Sequence, residues 1–145
     1  MMATVLIVDD HPHVRRGLVA ALKRERGLEV LADTGDAEEA VNLALSLHPD
    51  VVLLDPKMGN SRGTETCRKI IEGDPSIRIL ILTSYIDDGE RLELMRSGAS
   101  AYLLKDIDTR SLGAQIKAVC QTDAQRQDNG FQAQSNARGD ERAGA

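Results

Sequence analysis

Four places in this 145-residue sequence carry residue types that could do polar chemistry together. Asp9-Asp10 follows the apolar run 4–8, Asp55 follows the run 50–54, Thr83-Ser84 follows 77–82, and Lys105 follows 101–104. If these runs are parallel strands, their carboxyl ends bring three carboxylates, a hydroxyl and an ammonium to one edge of a sheet, where such sheets bind ligands. Carboxylates crowded in one pocket repel, and some keep their protons unless a cation offsets the charge. The oxygen donors are hard, which favours Mg²⁺ over zinc or copper. A divalent ion beside one carboxylate, with Lys105 and a hydroxyl opposite, is what phosphoryl transfer requires, because positive charge must meet the equatorial oxygens of the moving group. Asp55 is then the nucleophile, and its product is an acyl phosphate.

The elements that must hold these groups are legible in the hydrophobic pattern. A fifth apolar run occupies 28–32, and three of the five runs are nearly continuous hydrophobics, as expected of strands buried on both faces. Helical spacing fills the gaps. Val14, Leu18, Ala21 and Leu22 follow Pro12, which suits an opening turn. Asp36 with Glu39 reads as an N-terminal cap arrangement ahead of Ala37, Ala40, Val41, Ala44 and Leu45, with Pro49 closing the segment. Residues 64–72 bring Cys67, Ile70 and Ile71 together, and 88–97 supply Leu92 and Met95 before a Gly98 stop. Asp108 can cap a last helix carrying Leu112, Ile116 and Val119. Strand–helix alternation repeated five times predicts an α/β fold: a doubly wound five-stranded parallel sheet with helices on both faces, of the flavodoxin-like kind.

Composition narrows the function further. The chain carries a net charge of −5, has no Trp, and its only aromatics are two Tyr and one Phe. That is a poor platform for nucleic acid, which needs basic surface and stacking rings. No run reaches the length of a membrane span, and the start lacks a basic segment ahead of its apolar stretch, so no membrane association and a cytoplasmic location are expected. Cys67 and Cys120 lie far apart and read as small hydrophobes within or beside helices. Residues 121–145 contain no Val, Ile, Leu or Met, too little to offset the entropy of ordering them. The expected organisation is one domain over 1–121 and a disordered polar tail over 122–145.

The quoted residues resemble the receiver domain of two-component response regulators. Asp9-Asp10-His11-Pro12 through Arg16-Gly17-Leu18, Leu82-Thr83-Ser84-Tyr85, and Gly98 through Asp106 resemble the NarL/FixJ class, and the likeness runs from residue 3 to residue 121. The resemblance implies that Asp55 is phosphorylated. It implies Mg²⁺ held by Asp9, Asp10, Asp55 and the backbone carbonyl of Lys57, with Asp10 the more direct of the first two. It implies phosphoryl contacts from Thr83 and Lys105, and a switch made of Thr83 and Tyr102. Gly63 matches the glycine that closes the loop after the phosphoacceptor. The implied phosphodonor is a sensor histidine kinase or a small acyl phosphate, and the implied module assists its own phosphorylation without being a turnover enzyme. A second copy or another receiver is a further partner the resemblance allows.

Two departures bear on that reading. Pro56 follows Asp55 where the family has an aliphatic residue, removing a backbone N–H from the phosphate loop. Gly59 follows Met58 where the family has Pro, adding backbone freedom. They keep a receiver-like interaction module that is never phosphorylated as the alternative. An aspartyl-nucleophile phosphohydrolase is disfavoured, since its second acid would stand where Lys57 stands. The class usually carries a helix-turn-helix after the receiver. The polar end of this sequence does not supply one, so DNA binding by this chain itself is not expected, and a stand-alone receiver and a fragment of a DNA-binding regulator both remain. His11 and His13 lack a third nitrogen or sulfur partner for a transition metal. Arg15-Arg16 and Lys23-Arg24 read as a solvated helix face, open to docking.

Overall fold

In the computed structural model, which describes the backbone of residues 2–129 and the side chains of residues 2–121, the five apolar runs form one parallel sheet. Its strands are β1 (Ala3–Val8), β2 (Leu28–Thr34), β3 (Val51–Leu54), β6 (Arg78–Thr83) and β7 (Ala101–Leu104), in the order β2-β1-β3-β6-β7. A two-stranded antiparallel hairpin, β4 (Lys57–Met58) and β5 (Ser61–Arg62), interrupts the run between β3 and the next helix. The helices are α1 (Pro12–Lys23), α2 (Ala37–Leu47), α3 (Gly63–Gly73), α4 (Asp88–Arg96) and α5 (Thr109–Asn129).

Because successive strand side chains point to opposite faces, each central strand feeds two cores. Leu6, Val8, Val52, Leu54, Ile79 and Ile81 pack with Ala40, Ala44, Cys67, Ile70 and Leu94 of α2, α3 and α4. Val5, Ile7, Val51, Leu53, Leu80 and Leu82 pack with Leu22, Leu112 and Ile116 of α1 and α5. This double burial is why the runs read as continuous hydrophobics. β1 lies between β2 and β3, so the chain winds outward in opposite directions from the β1/β3 pair, and a crevice opens beyond their carboxyl ends.

Local chemistry explains the helix ends. Asp36 caps α2 by accepting from the Glu39 N–H at 2.8 Å, Asp87 caps α4 through the Glu90 N–H at 3.0 Å, and Asp108 accepts from the Ser111 N–H at 2.9 Å. Gly98, at φ 114°, carries the chain away from α4, a left-handed conformation that side chains rarely adopt.

The structure corrects three expectations. α4 turns Leu94 into the core and leaves Leu92 and Met95 exposed, since Leu94 is the residue whose position faces Ile79 and Ile81. Val14 at the start of α1 is also exposed. Arg15 is no solvated docking residue: its guanidinium binds the Asp9 carbonyl at 2.7 Å and the Asp33 carboxylate at 3.0 Å. The backbone of α5 runs to Asn129, and most of the polar tail expected over 122–145 lies outside the described residues. Among the described residues no helix is long and apolar enough to cross a membrane.

Candidate functional site

Hydrogen bonds of the sheet itself deliver the acidic residues to the crevice. The Asp9 N–H donates to the Thr34 carbonyl at 3.0 Å, and the Asp55 N–H donates to the Val8 carbonyl at 2.9 Å, so both carboxylates leave the sheet at the β1/β3 junction. The Lys105 N–H donates to the Thr83 carbonyl at 2.8 Å, which fixes the start of its side chain beside β6. Its ammonium then reaches across to Asp9 at 2.9 Å and Asp55 at 3.1 Å. Asp10 stands at the rim, its carboxylate accepting from the Gly59 N–H at 3.1 Å.

Two glycines give the backbone its close approaches. A Cβ on Gly63 would lie 2.9 Å from Pro56 Cα, so only glycine lets α3 start against the loop that follows Asp55. A Cβ on Gly35 would lie 2.5 Å from the Arg15 guanidinium, which needs that space to hold the Asp9 carbonyl. Arg15 and Gly35 are positioning residues that sequence reading missed; the signal was an arginine one helical turn beyond the acidic pair.

The two buried carboxyls respond oppositely to this setting. Burial pushes the Asp9 carboxyl up, but hydrogen bonds from Lys105 and from the His11 backbone and ring outweigh it and hold the group below the usual range. At Asp55 burial prevails and lifts the carboxyl above its ordinary value, despite the Lys57 N–H at 3.0 Å and Lys105. Burial would lower Lys105, but its bonds to Asp9 and Asp55 keep it above the ordinary lysine value. Three carboxylates against one ammonium leave net negative charge in the pocket. Ligand atoms of Asp9, Asp10, His11 and Asp55 all lie within 4.8 Å of one another, an arrangement compatible with a divalent cation. The residues present fit such an ion.

The remaining residues singled out by sequence are not all brought to Asp55. Thr83 is buried at the end of β6, but its hydroxyl donates to the Tyr85 carbonyl at 3.1 Å and approaches the Glu90 carboxylate at 3.4 Å. The Tyr102 hydroxyl donates to the same Glu90 carboxylate at 2.6 Å. Lys57 points its side chain away from the acids, toward the Tyr85 hydroxyl at 3.3 Å and the Tyr85 ring. Pro56 does remove one N–H, yet the next residue supplies the donor to Asp55. Gly59, at φ 57°, opens the two-residue loop of the hairpin, where a positive φ is what primed turns need. Cys67 is buried, and burial pushes its thiol up to about 12, which fits a packing role.

A family profile described as the response regulator receiver domain matches residues 5–117. The chain belongs to this family. Among curated proteins, the receiver domain is 40% identical over 118 residues to the DNA-binding transcriptional activator DevR/DosR of Mycobacterium tuberculosis, covering 81% of this chain and 54% of that protein. It is 40% identical over 114 residues to the nitrate/nitrite response regulator protein NarP of Escherichia coli, covering 79% and 53%. The chain thus spans about half the length of the curated relatives it matches. Among solved structures, a two-component response regulator of the LuxR family from Aurantimonas superposes with a TM-score of 0.79 at 34% identity, covering 84% of this chain and 87% of that one. A CheY-like receiver domain protein from Methanospirillum hungatei gives the same TM-score at 24% identity, covering 87% and 99%, and shows the shared fold. Both the fold and the NarL-like family expected from the sequence are found.

Proposed function

We propose that this receiver domain accepts a phosphoryl group on Asp55 from a sensor histidine kinase and that the change at Asp55 reshapes its surface, in a protein of transcriptional signalling acting in the cytoplasm. One observation carries the reading: Asp55 is a buried carboxylate with one oxygen on the Lys57 N–H and the other on the Lys105 ammonium, facing Asp9 and Asp10 across a net negative pocket. The carboxylates of Asp9, Asp10 and Asp55 and the Lys57 carbonyl would hold Mg²⁺. When bound, the ion offsets the negative charge of donor and nucleophile.

The protein's own residues account for the rest. An Asp55 oxygen forms its bond to phosphorus as the bond from phosphorus to the donor's nitrogen or oxygen breaks, and the leaving group keeps the electron pair. Lys105, already within hydrogen-bond distance, receives one equatorial oxygen, and the Lys57 N–H stays aimed at the acceptor. The Thr83 hydroxyl leaves Tyr85 and Glu90 for another oxygen, and the Tyr102 ring follows into the space vacated. The module is modified rather than turning over substrate. That the N–H of residue 57 replaces the one lost at Pro56 favours this reading over a receiver that is never phosphorylated.

The test is intact-mass measurement after incubation with Mg²⁺ and a small acyl phosphate, with borohydride trapping to locate the site. One phosphoryl group on Asp55 is expected, none in Asp55→Asn, and slower labelling in Asp10→Ala and Lys105→Ala. An unmodified wild-type chain, beside a receiver of known activity that is labelled, leaves the interaction-module reading standing instead.

A further inference from the structure

Helices α2 and α4 open on the same pattern, an Asp cap with a Glu three residues on: Asp36 with Glu39, and Asp87 with Glu90. In a capping box the first side chain accepts the N–H of the fourth residue, and the fourth side chain reaches back to the N–H of the first. The first half is present in both helices, at 2.8 Å in α2 and 3.0 Å in α4. The second half is not direct, because each time a hydroxyl stands between the two groups. In α2 the Asp36 N–H donates to the Thr34 hydroxyl at 3.1 Å, and that hydroxyl donates to the Glu39 carboxylate. In α4 the Asp87 N–H donates to the Tyr102 hydroxyl at 3.2 Å, which donates to the Glu90 carboxylate at 2.6 Å. The two hydroxyls differ in origin. Thr34 is buried and lies two residues before its cap, so it stays in place. Tyr102 is only half-buried and comes from another element, β7.

We infer that the capping box of α4 has two closures: the Tyr102 hydroxyl completes it when the ring is outward, and Glu90 closes directly onto the Asp87 N–H when the ring turns inward. The inference rests on the reading that Asp55 accepts a phosphoryl group and that Thr83 and Tyr102 respond, and it adds the element that receives their movement. The geometry couples the parts. The Glu90 oxygen that takes Tyr102 lies 3.4 Å from the Thr83 hydroxyl, and its other oxygen faces the Lys57 ammonium at 3.9 Å. One carboxylate thus touches β6, β7 and the loop after Asp55. If the phenol left and nothing replaced it, the Asp87 N–H would be orphaned at a helix start, at a cost comparable to a lost hydrogen bond. Direct closure removes that cost by a side-chain rotation, since the Asp87 carboxylate already holds the Glu90 backbone in place. Glu90 also keeps its negative charge at the helix N-terminus in both closures, where the macrodipole favours it. Neither state leaves an unpaired donor, so the two packings stay close in free energy, as a population switch requires.

The experiment follows the Asp87 amide by NMR in the ¹⁵N-labelled full chain. Tyr102→Phe deletes the inserted hydroxyl; the amide should stay protected from exchange and move downfield, because a carboxylate now accepts it. Adding Glu90→Ala to Tyr102→Phe should raise its exchange rate about tenfold or more, the loss of a hydrogen bond to a charged group. Adding Glu90→Gln instead should keep the protection, since Gln also closes capping boxes. Wild type given Mg²⁺ and beryllofluoride, a phosphoryl mimic that adds to a carboxylate, should move the Asp87 amide in the same direction as Tyr102→Phe does. Glu93→Ala, at an exposed acid of the same helix, should follow wild type with and without the mimic. Equal exchange at Asp87 in Tyr102→Phe with and without Glu90→Ala overturns the inference. So does a mimic that shifts the Lys57 and Lys105 amides and leaves Asp87 in place, a result under which the phosphoacceptor reading stands. A mimic that shifts none of the three removes that reading and this inference with it.

Discussion

Asp55 must be charged to act as a nucleophile, yet it lies in a pocket that penalises its charge. Burial raises its carboxyl above the usual range, and the neighbouring Asp9 charge adds to that, outweighing Lys57 and Lys105. The linkage follows directly. A folded-state value above the unfolded one, about 3.9, means that the folded protein binds a proton the unfolded chain has lost, so stability falls as pH rises through that window. Asp55→Asn removes the penalty, and Lys105 keeps its 2.9 Å partner in Asp9. In chelated buffer at neutral pH the variant should therefore melt above wild type. The gain should fade as pH falls through the unfolded value, about 3.9, and be gone well below it, where both states of the wild-type group are protonated. Thermal melts across pH read this out, and a variant less stable than wild type at neutral pH would mean that the pairing with Lys105 outweighs burial.

Between β6, α4 and β7 a different set of contacts holds the proposed switch residues, Thr83 and Tyr102. Glu90, in the first turn of α4, accepts from Tyr102 at 2.6 Å and lies 3.4 Å from the Thr83 hydroxyl, so one carboxylate restrains both groups that the proposed switch moves. The Tyr102 phenol titrates above its ordinary value, first through burial and then through Glu90. Glu90→Ala should lower that value, visible as earlier phenolate absorbance in a titration of a chain with only two tyrosines. An unchanged curve would place the restraint in burial alone. Glu90 was not legible from sequence, because Thr83, Glu90 and Tyr102 share no spacing pattern and meet only through packing. The same limit hid Arg15 and the β4–β5 hairpin, whose two-residue strands are too short for periodicity to register. The five sheet strands and the acidic residues at their ends were legible because buried parallel strands give unbroken apolar runs, and function gathers where those runs stop. The buried residue of α4 was misjudged for a related reason. That helix carries Leu92 and Met95 on one face and Leu94 on another, and the sheet decides which face is covered.

Over the whole molecule, the sheet depends on both helical layers, and the α1/α5 layer sets where the chain can be shortened. Leu112 and Ile116 of α5 are almost fully buried against Val5, Ile7, Leu53, Leu80 and Leu82, with Val119 and Cys120 packed at the margin of that cluster. Beyond residue 121 the sequence offers no Val, Ile, Leu or Met to extend the contact, although the α5 backbone continues to Asn129. Burying each large aliphatic side chain contributes about 1.5–3 kcal/mol, and a domain's net stability is only about 5–15 kcal/mol. Two truncations should therefore behave very differently. A chain ending at residue 121 should keep both cores, fold cooperatively, and melt within about 3 °C of the full chain, since a stretch without large aliphatic side chains contributes little. A chain ending at residue 108 loses Leu112 and Ile116 and leaves that face of the sheet covered by α1 alone, so it should be unfolded or aggregated at 25 °C. Circular dichroism melts and gel filtration of the two chains check this. A large loss of stability on removing 122–145 would show that this polar segment packs on the domain in a way its composition does not provide for.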